Sequence, residues 1–365
     1  MKLMASIEEL LARETYTKSE LVELLQVTGD GRAKLFSKAA GIKEKYLGNK
    51  VYLRGLVEMS NICRKNCLYC GIRSGNRKIH RYSLTDDEIL DAAIYAWKNQ
   101  YGSIALQAGE VSTREFTARI EELLDRINTA CSGELGITLS LGEQDEDTYR
   151  RWFQKGGIRY LLRIESSNQE LYKKLHPNDS LHDYKTRIEC LKSLRRVGYQ
   201  VGSGVMIGLP FQTLEHLADD LLWMQEMDLD MVGMGPYVEH PDTPLFEYRD
   251  QLLPVAERFD LSLKMTALIR IMMKNINIVA PTALQAIDPL GREKAIKVGA
   301  NVVMPNITPG AFRNDYKLYE NKPCVDDAAD DCKNCLDVRI QLAGHEIGYG
   351  EHGDSPHFYQ RKNAQ

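Results

Sequence analysis

The chain has 365 residues, 43% of them hydrophobic and 27% charged, and its 47 Lys+Arg against 51 Asp+Glu leave a net charge of −4. It is long enough for a large core and is neither low-complexity nor fibrous, and nothing in its charge points to a nucleic-acid or anionic-membrane partner. Its 8 cysteines read as thiols or metal ligands rather than as a disulfide framework.

Residues 1–48 read as a helical extension covering one end of the domain that follows. The first ten residues carry Glu8 and Glu9 and lack the apolar segment of a secretory signal, so a cytoplasmic location is expected. An apolar run over 51–58 predicts the first strand. Directly after it come Cys63, Cys67 and Cys70, a C-x3-C-x2-C triplet. Three thiolates this close wrap a cubane iron–sulfur cluster from one loop and leave one iron open to a small molecule. A structural zinc site needs four ligands, and no nearby His or Cys completes that set. Arg64, Lys65, Arg73, Arg77 and Lys78 flank the triplet, either as cations suited to an anionic cluster or as a solvated basic loop.

Further strands are expected over 103–109, 137–142, 160–165, 201–208, 231–236, 277–284 and 302–306. Helical patterns over 85–99, 113–129, 146–155, 185–197, 214–227, 261–273 and 289–298 separate them. Such alternation imposes parallel pairing with right-handed crossovers, and eight units read as a complete (β/α)8 TIM-type barrel within an α/β domain spanning 49–345. A doubly wound open sheet is the alternative, and no G-x-G-x-x-G turn supports it. The uncharged run 197–214 holds four glycines and a proline and makes a poor bilayer span. Polar and glycine-rich words close nearly every strand, at 107–110, 140–143, 163–165, 204–210, 235–237, 280–282 and 305–306. They converge on the carboxyl-terminal mouth, where α/β barrels build their sites.

Cys324, Cys332 and Cys335 form a second group, in the acidic segment CVDDAADDCKNC. It is either an accessory cluster or metal site, again one ligand short, or an empty site in a loop whose acids would repel a thiolate cluster. Cys131 and Cys190 read as small buried apolar side chains. Residues 346–365 are a C-terminal tail. His80, His176, His182, His216, His345 and His352 read as surface or loop residues and His357 as part of the polar tail, leaving His240 as the histidine on the mouth.

The triplet after the first strand, with Tyr69 just before its last cysteine, resembles the signature of the radical S-adenosylmethionine (SAM) superfamily. The words NICRKNCLYCGIR, RYLLRIES, GVMIGLPFQT, MVGMGPYVEHPDTPL, GANVVMPN and RNDYKLY most resemble, within it, the HydE-type FeFe-hydrogenase maturases. The resemblance implies that Cys63, Cys67 and Cys70 hold a 4Fe–4S cluster whose open iron SAM chelates. One electron then splits the sulfonium C–S bond to methionine and a 5′-deoxyadenosyl radical. Tyr69, Ala108, Gly109 and Glu110 would meet the cofactor, Glu110 through its ammonium. Arg187 would pair with its carboxylate, Glu165 would lie near its ribose or amino end, and Met206 and Gly208, with Gly204, would run along its adenine.

The resemblance further implies a small organometallic substrate, an iron–cysteine–carbonyl–cyanide complex from a partner maturase, and a low-potential donor such as flavodoxin or ferredoxin. Arg163, Thr282, Tyr316 and Tyr319, with Asn306, are its expected donors in the pocket. Structural readings stand beside these: Glu110 and Glu165 as partners of loop cations, Arg163 and Arg187 as rim ion pairs, Tyr316 and Tyr319 as barrel closure, and Met206, Met231, Met234 and Met304 as core. The chain departs from the family pattern at Ile164, where a histidine is usual, and at Pro281–Thr282, in place of paired threonines. Competing functions are a methylornithine synthase-like or biotin synthase-like enzyme and a non-catalytic iron–sulfur scaffold.

Overall fold

The computed structural model describes residues 6–323 and 329–363, the side chains of 329–334 excepted. Three helices come first, α1 (Ile7–Leu11), α2 (Lys18–Gln26) and α3 (Gly29–Leu47). The sheet strands are β1 (Lys50–Ser60), β2 (Ser103–Ala108), β3 (Gly136–Ser140), β4 (Gly157–Leu161) and β5 (Gln200–Ser203), then the short β6 (Met206–Ile207), β7 (Met231–Val232), β8 (Gly235–Pro236), β9 (Asn277–Ile278), β10 (Val302–Val303) and β11 (Glu346–Ile347). The helices between and after them are α4 (Asp86–Lys98), α5 (Arg114–Ala130), α6 (Glu146–Gln154), α7 (Gln169–Leu175), α8 (Tyr184–Val197), α9 (Leu214–Glu226), α10 (Val255–Met272), α11 (Thr282–Ile287), α12 (Gly291–Val298), α13 (Gly310–Arg313), α14 (Ala329–Leu342) and α15 (Pro356–Asn363). Local chemistry sets several helix starts. Thr17, Thr85 and Thr213 each accept an N–H from the third helical residue, whose side chain returns to the cap.

Eight strands pair in parallel in the order β10-β1-β2-β3-β4-β5-β7-β9, a curled α/β sheet with its helices outside. The expected number of strands and their parallel sense are met. The complete barrel is not met as a continuous ladder: between the end strands the pairing is one bridge, Val279 with Val302, where Ala280 N–H donates to Val302 O at 2.9 Å and Asn301 N–H to Ile278 O at 2.9 Å. The expected strands over 201–208 and 231–236 each divide in two, and β6 pairs with β8 beyond the break. At the break the backbones run close, and a Cβ on Gly204 would lie 1.9 Å from Gly233 O.

The helices α1–α3, expected from sequence to cover one end of the domain, lie instead on the flank of the curled sheet, outside its helices. α2 packs on α9 and α10, and α3 on α10 and α12. Buried Lys43 donates to Ile296 O at 2.9 Å and buried Lys264 to Leu25 O at 3.0 Å. With this second layer outside it, α10 is buried all round from Leu261 to Met272, which explains why its apolar residues show no one-sided stripe. The amino-terminal end of the sheet is sealed by the C-terminal segment. β11 pairs with the start of β1, and Gly353 O accepts from Arg54 (3.1 Å) and Asn277 (2.8 Å). Asp354 accepts from Arg159 (2.9 Å) and Gln200 (2.8 Å). Among the described residues no helix is long and apolar enough to cross a membrane.

Candidate active site

The carboxyl-terminal strand ends enclose a cavity of ≈ 580 Å³. The loop after β1 forms one wall of it, and Arg81 organises that loop by donating to the carbonyls of Asn61 (2.6 Å), Ile72 (2.7 Å), Arg73 (2.6 Å) and Asn76 (3.0 Å). Leu68 N–H donates to Leu175 O and Gly71 N–H to Leu318 O, each at 3.0 Å, so the loop is strapped to α7 and to the segment after α13. Gly109 allows the loop to lie against the end of β2: a Cβ there would meet Ile62 O at 2.3 Å and Cys63 Cβ at 2.8 Å.

Cys63, Cys67 and Cys70 all line the cavity. Cys63 Sγ accepts the Glu110 N–H at 3.3 Å. Burial pushes all three thiols up, Cys67 to about 12. Three soft donors on one ordered loop, in surroundings that disfavour bare thiolates, fit a cationic iron–sulfur body that takes up their charge. Cys131 ends α5 and Cys190 lies on α8, both buried and neither among the lining residues. Of the second group, Cys335 on α14 is exposed and lines the cavity edge. Cys324 and the side chain of Cys332 lie outside the described residues.

Beside the triplet sits a buried quartet of two cations and two carboxylates. Lys65 Nζ donates to Glu143 Oε2 at 2.8 Å and lies 3.2 Å from Glu110 Oε1. Arg187 Nε is 2.8 Å from Glu143 Oε1, and its Nη2 is 3.4 Å from Glu110 Oε2. Burial alone would push the Arg187 guanidinium down, but the two carboxylates reverse this and hold it well above its ordinary value. Gly142 lets Glu110 cross the end of β3, since a Cβ there would lie 2.1 Å from Glu110 Cγ. Of the four, the sequence marks Glu110 and Arg187 for the site. Lys65 is not part of a solvated basic loop: its side chain is 3% exposed. Glu143 had only its place in a strand-end word as a signal.

Most of the other expected residues fall in the same cavity. Arg163 Nη2 pairs with Glu165 Oε2 at 2.9 Å, and burial raises the Glu165 carboxyl against the pull of Arg163 and Arg187. Thr282 Oγ1 and the Tyr319 hydroxyl are 2.7 Å apart, and Gln107 donates to the Tyr316 hydroxyl at 3.1 Å. Tyr69, Ala108, Met206, Met304 and Asn306 also line the cavity, whereas Met231 and Met234 are core. Gly208 is not among the lining residues. Its φ is +80° and a Cβ would strike Arg258 Cγ at 2.3 Å, so it makes a turn against α10. Sequence reading missed a further buried pair: Glu58 on β1, held by Lys322 and by Asn306 Nδ2 at 3.0 Å.

Two histidine readings are corrected. His176 and His182 are 4% and 5% exposed and sit beneath the cluster loop. His176 Nδ1–H donates to Tyr172 O at 2.8 Å, leaving Nε2 to accept from the Tyr69 hydroxyl at 3.2 Å, and burial lowers its pKa to about 3. His182 Nε2 accepts the Asn66 N–H at 2.9 Å while its Nδ1 bonds Asp179 at 2.6 Å. His240 is buried against Gly71 and does not line the cavity.

Residues 57–224 match the model of the radical SAM superfamily. The FeFe-hydrogenase maturase subunit HydE of Thermotoga maritima is 41% identical over 343 residues, 94% of this chain and 95% of that protein. The chain belongs to the radical SAM superfamily, in its HydE family. It is therefore a radical SAM enzyme, of a family that binds a 4Fe–4S cluster and SAM. The 3-methylornithine synthase of Methanosarcina barkeri is 28% identical to this radical SAM chain over 309 residues, 83% of each protein. Its fold is shared with a solved methylornithine synthase, PylB (TM-score 0.79, 23% identity, 94% of this chain and 98% of that one), and with the maturase HydG from Carboxydothermus hydrogenoformans (0.77, 20%, 94% and 78%).

Proposed function

We propose that this radical SAM enzyme is an FeFe-hydrogenase maturase of the HydE type, acting on a small anionic iron–cysteine–carbonyl–cyanide complex supplied by another maturase. What carries the reading is near full-length identity of 41% to HydE in a chain whose thiol triplet, tyrosine pair and Lys65, Glu110 and Arg187 of the quartet line one cavity. Cys63, Cys67 and Cys70 would hold a 4Fe–4S cluster, which would supply the single electron for reductive cleavage of the sulfonium bond of SAM to methionine and a 5′-deoxyadenosyl radical. The chain's own residues hold the reactants. Glu110 takes the ammonium of the amino-acid end, Arg187 its carboxylate and Glu165 a ribose hydroxyl, while Tyr69, Ala108, Gly109 and Met206 wall the cofactor. Arg163, Thr282, Tyr316, Tyr319 and Asn306 offer the anionic substrate a guanidinium and hydrogen-bond donors. A radical this reactive needs a closed cavity. The cluster loop over the mouth and the C-terminal segment under the sheet supply that closure, and we read the Val279–Val302 bridge as completing a barrel.

The reading extends to a division into a helical extension (1–48), a radical SAM unit (49–345) and a tail (346–365). It includes an accessory cluster on Cys324, Cys332 and Cys335, a flavodoxin or ferredoxin as electron donor, and a cytoplasmic setting. Two assays test it. Anaerobic protein reconstituted with iron and sulfide should release 5′-deoxyadenosine from SAM on dithionite reduction, and Cys70→Ala should abolish this while Cys332→Ala leaves most of it. The chain should also restore hydrogenase in a maturation system lacking its own HydE. Absence of SAM cleavage overturns the radical reading; cleavage without restoration overturns the maturase and favours amino-acid chemistry of the methylornithine synthase kind.

A further inference from the structure

We propose that Glu143 is a positioning residue of the SAM site, holding Arg187 and Lys65 so that Glu110 stays available for an incoming ammonium. The inference rests on the reading above, in which Glu110 and Arg187 receive the two charged groups of the amino-acid end. Those two side chains carry opposite charges in a buried site, so their mutual pairing competes directly with the ligand. A guanidinium and a carboxylate left alone there would form a bidentate pair and offer neither group to a zwitterion. The distances show how the site avoids this.

Glu143 makes the close contacts with both cations, 2.8 Å to Arg187 Nε and 2.8 Å to Lys65 Nζ. Glu110 is met only at longer range, 3.2 Å from Lys65, 3.4 Å from Arg187 and 3.6 Å from Arg64. Glu110 Oε1 is buried with no hydrogen-bond partner, the Lys65 ammonium at 3.2 Å being its nearest cation; Glu143 Oε1 and Arg187 Nε also lack hydrogen bonds but sit 2.8 Å apart as an ion pair. An orphaned carboxylate oxygen facing the cavity costs stability and is an acceptor waiting for a donor. Arg187, with its Nε edge 2.8 Å from Glu143, gives Glu110 Oε2 only a long 3.4 Å hydrogen bond from Nη2, one that an incoming carboxylate can displace. Lys65 belongs to the cysteine loop itself, so its hydrogen bond to Glu143 and its ion pair with Glu110 tie that loop to the ends of β3 and β2. The second carboxylate thus balances the two cations and leaves the first open.

The test is SAM binding to the oxidised, cluster-loaded protein, where no electron is available for cleavage, followed by titration calorimetry, with iron per chain measured alongside. Glu143→Gln keeps the shape and removes the charge. It should weaken SAM by about tenfold or more at unchanged iron content, as a charge-assisted contact is lost. In steady-state cleavage the loss should fall mainly on KM. Glu143→Asp retains the charge and should stay within about threefold of wild type. Wild-type affinity in Glu143→Gln overturns the proposal, as does equal weakening in both variants, which would make the role one of filling space. Iron lost in proportion to affinity also overturns it, since Glu143 would then merely support the loop. A wild-type chain that takes up iron but no SAM would instead overturn the underlying reading of the site, and this inference with it.

Discussion

Cys67 and Cys70 are buried where charge is disfavoured, and the consequence for the metal-free chain is measurable. Their folded-state pKa values lie above the unfolded thiol value, Cys67 at about 12, so the folded state keeps protons that the unfolded chain loses from about pH 8.5 upward. The stability these thiols contribute is complete below that pH and is lost as pH climbs through the folded values. The Tm of metal-free protein should therefore fall progressively above about pH 9, and Cys67→Ser should flatten the fall, because serine does not titrate in this range. The cluster-loaded chain, whose thiolates are already committed to iron, should lack this alkaline slope. The triplet was legible because three ligands lie on one short stretch of chain. Lys65 and Glu143 were not, because 78 residues separate them and only folding makes them partners.

At the scale of elements, close backbone approach decides what residue type alone does not. Gly109 lies at the end of β2 against Ile62 and Cys63, with no room for a methyl group. Gly109→Ala should push the cysteine loop off the strand end and lower the iron retained after reconstitution by roughly half or more, with far-ultraviolet circular dichroism unchanged. Undiminished iron would show that the loop yields cheaply. Gly204 meets the same limit within the sheet, next to the point where two expected strands each divide into a pair. Strand identity was readable from apolar runs; the breaks were not, because they depend on which two backbones face each other. Gly208 illustrates the converse error, a glycine in the right word whose backbone turns against Arg258 instead of facing the cavity.

Over the whole molecule, the amino-terminal end of the sheet is closed by a segment far away in sequence. Arg159 on β4 is wholly buried and pairs with Asp354 at 2.8 Å, nearly two hundred residues later in number. Asp354→Ala would leave that guanidinium without its counter-charge and should cost about 3–5 kcal/mol, read as a lowered Tm. Asp354 lies at the end of the sheet opposite the thiol triplet, so residual SAM cleavage at low temperature should persist in the variant. Loss of cleavage with Tm unchanged would instead make the C-terminal segment part of the active site. The tail was legible only as polar, and the N-terminal segment as helices expected to cover one end; that the tail seals the floor and the helices cover α10 instead emerged from packing.

Sequence alone determined the parallel alternation of strands and helices, the mouth on which the functional words converge, and the thiol triplet with its chemistry, because each depends on spacing within a few residues or on a repeated period. Tertiary structure decided the single bridge between the end strands, the burial of His176 and His182, and the pairing of Glu143 with Arg187 and Lys65. These depend on distances between segments remote in the chain, and the charge balance of a buried site follows from which groups folding brings within 3 to 4 Å, a quantity no local pattern encodes.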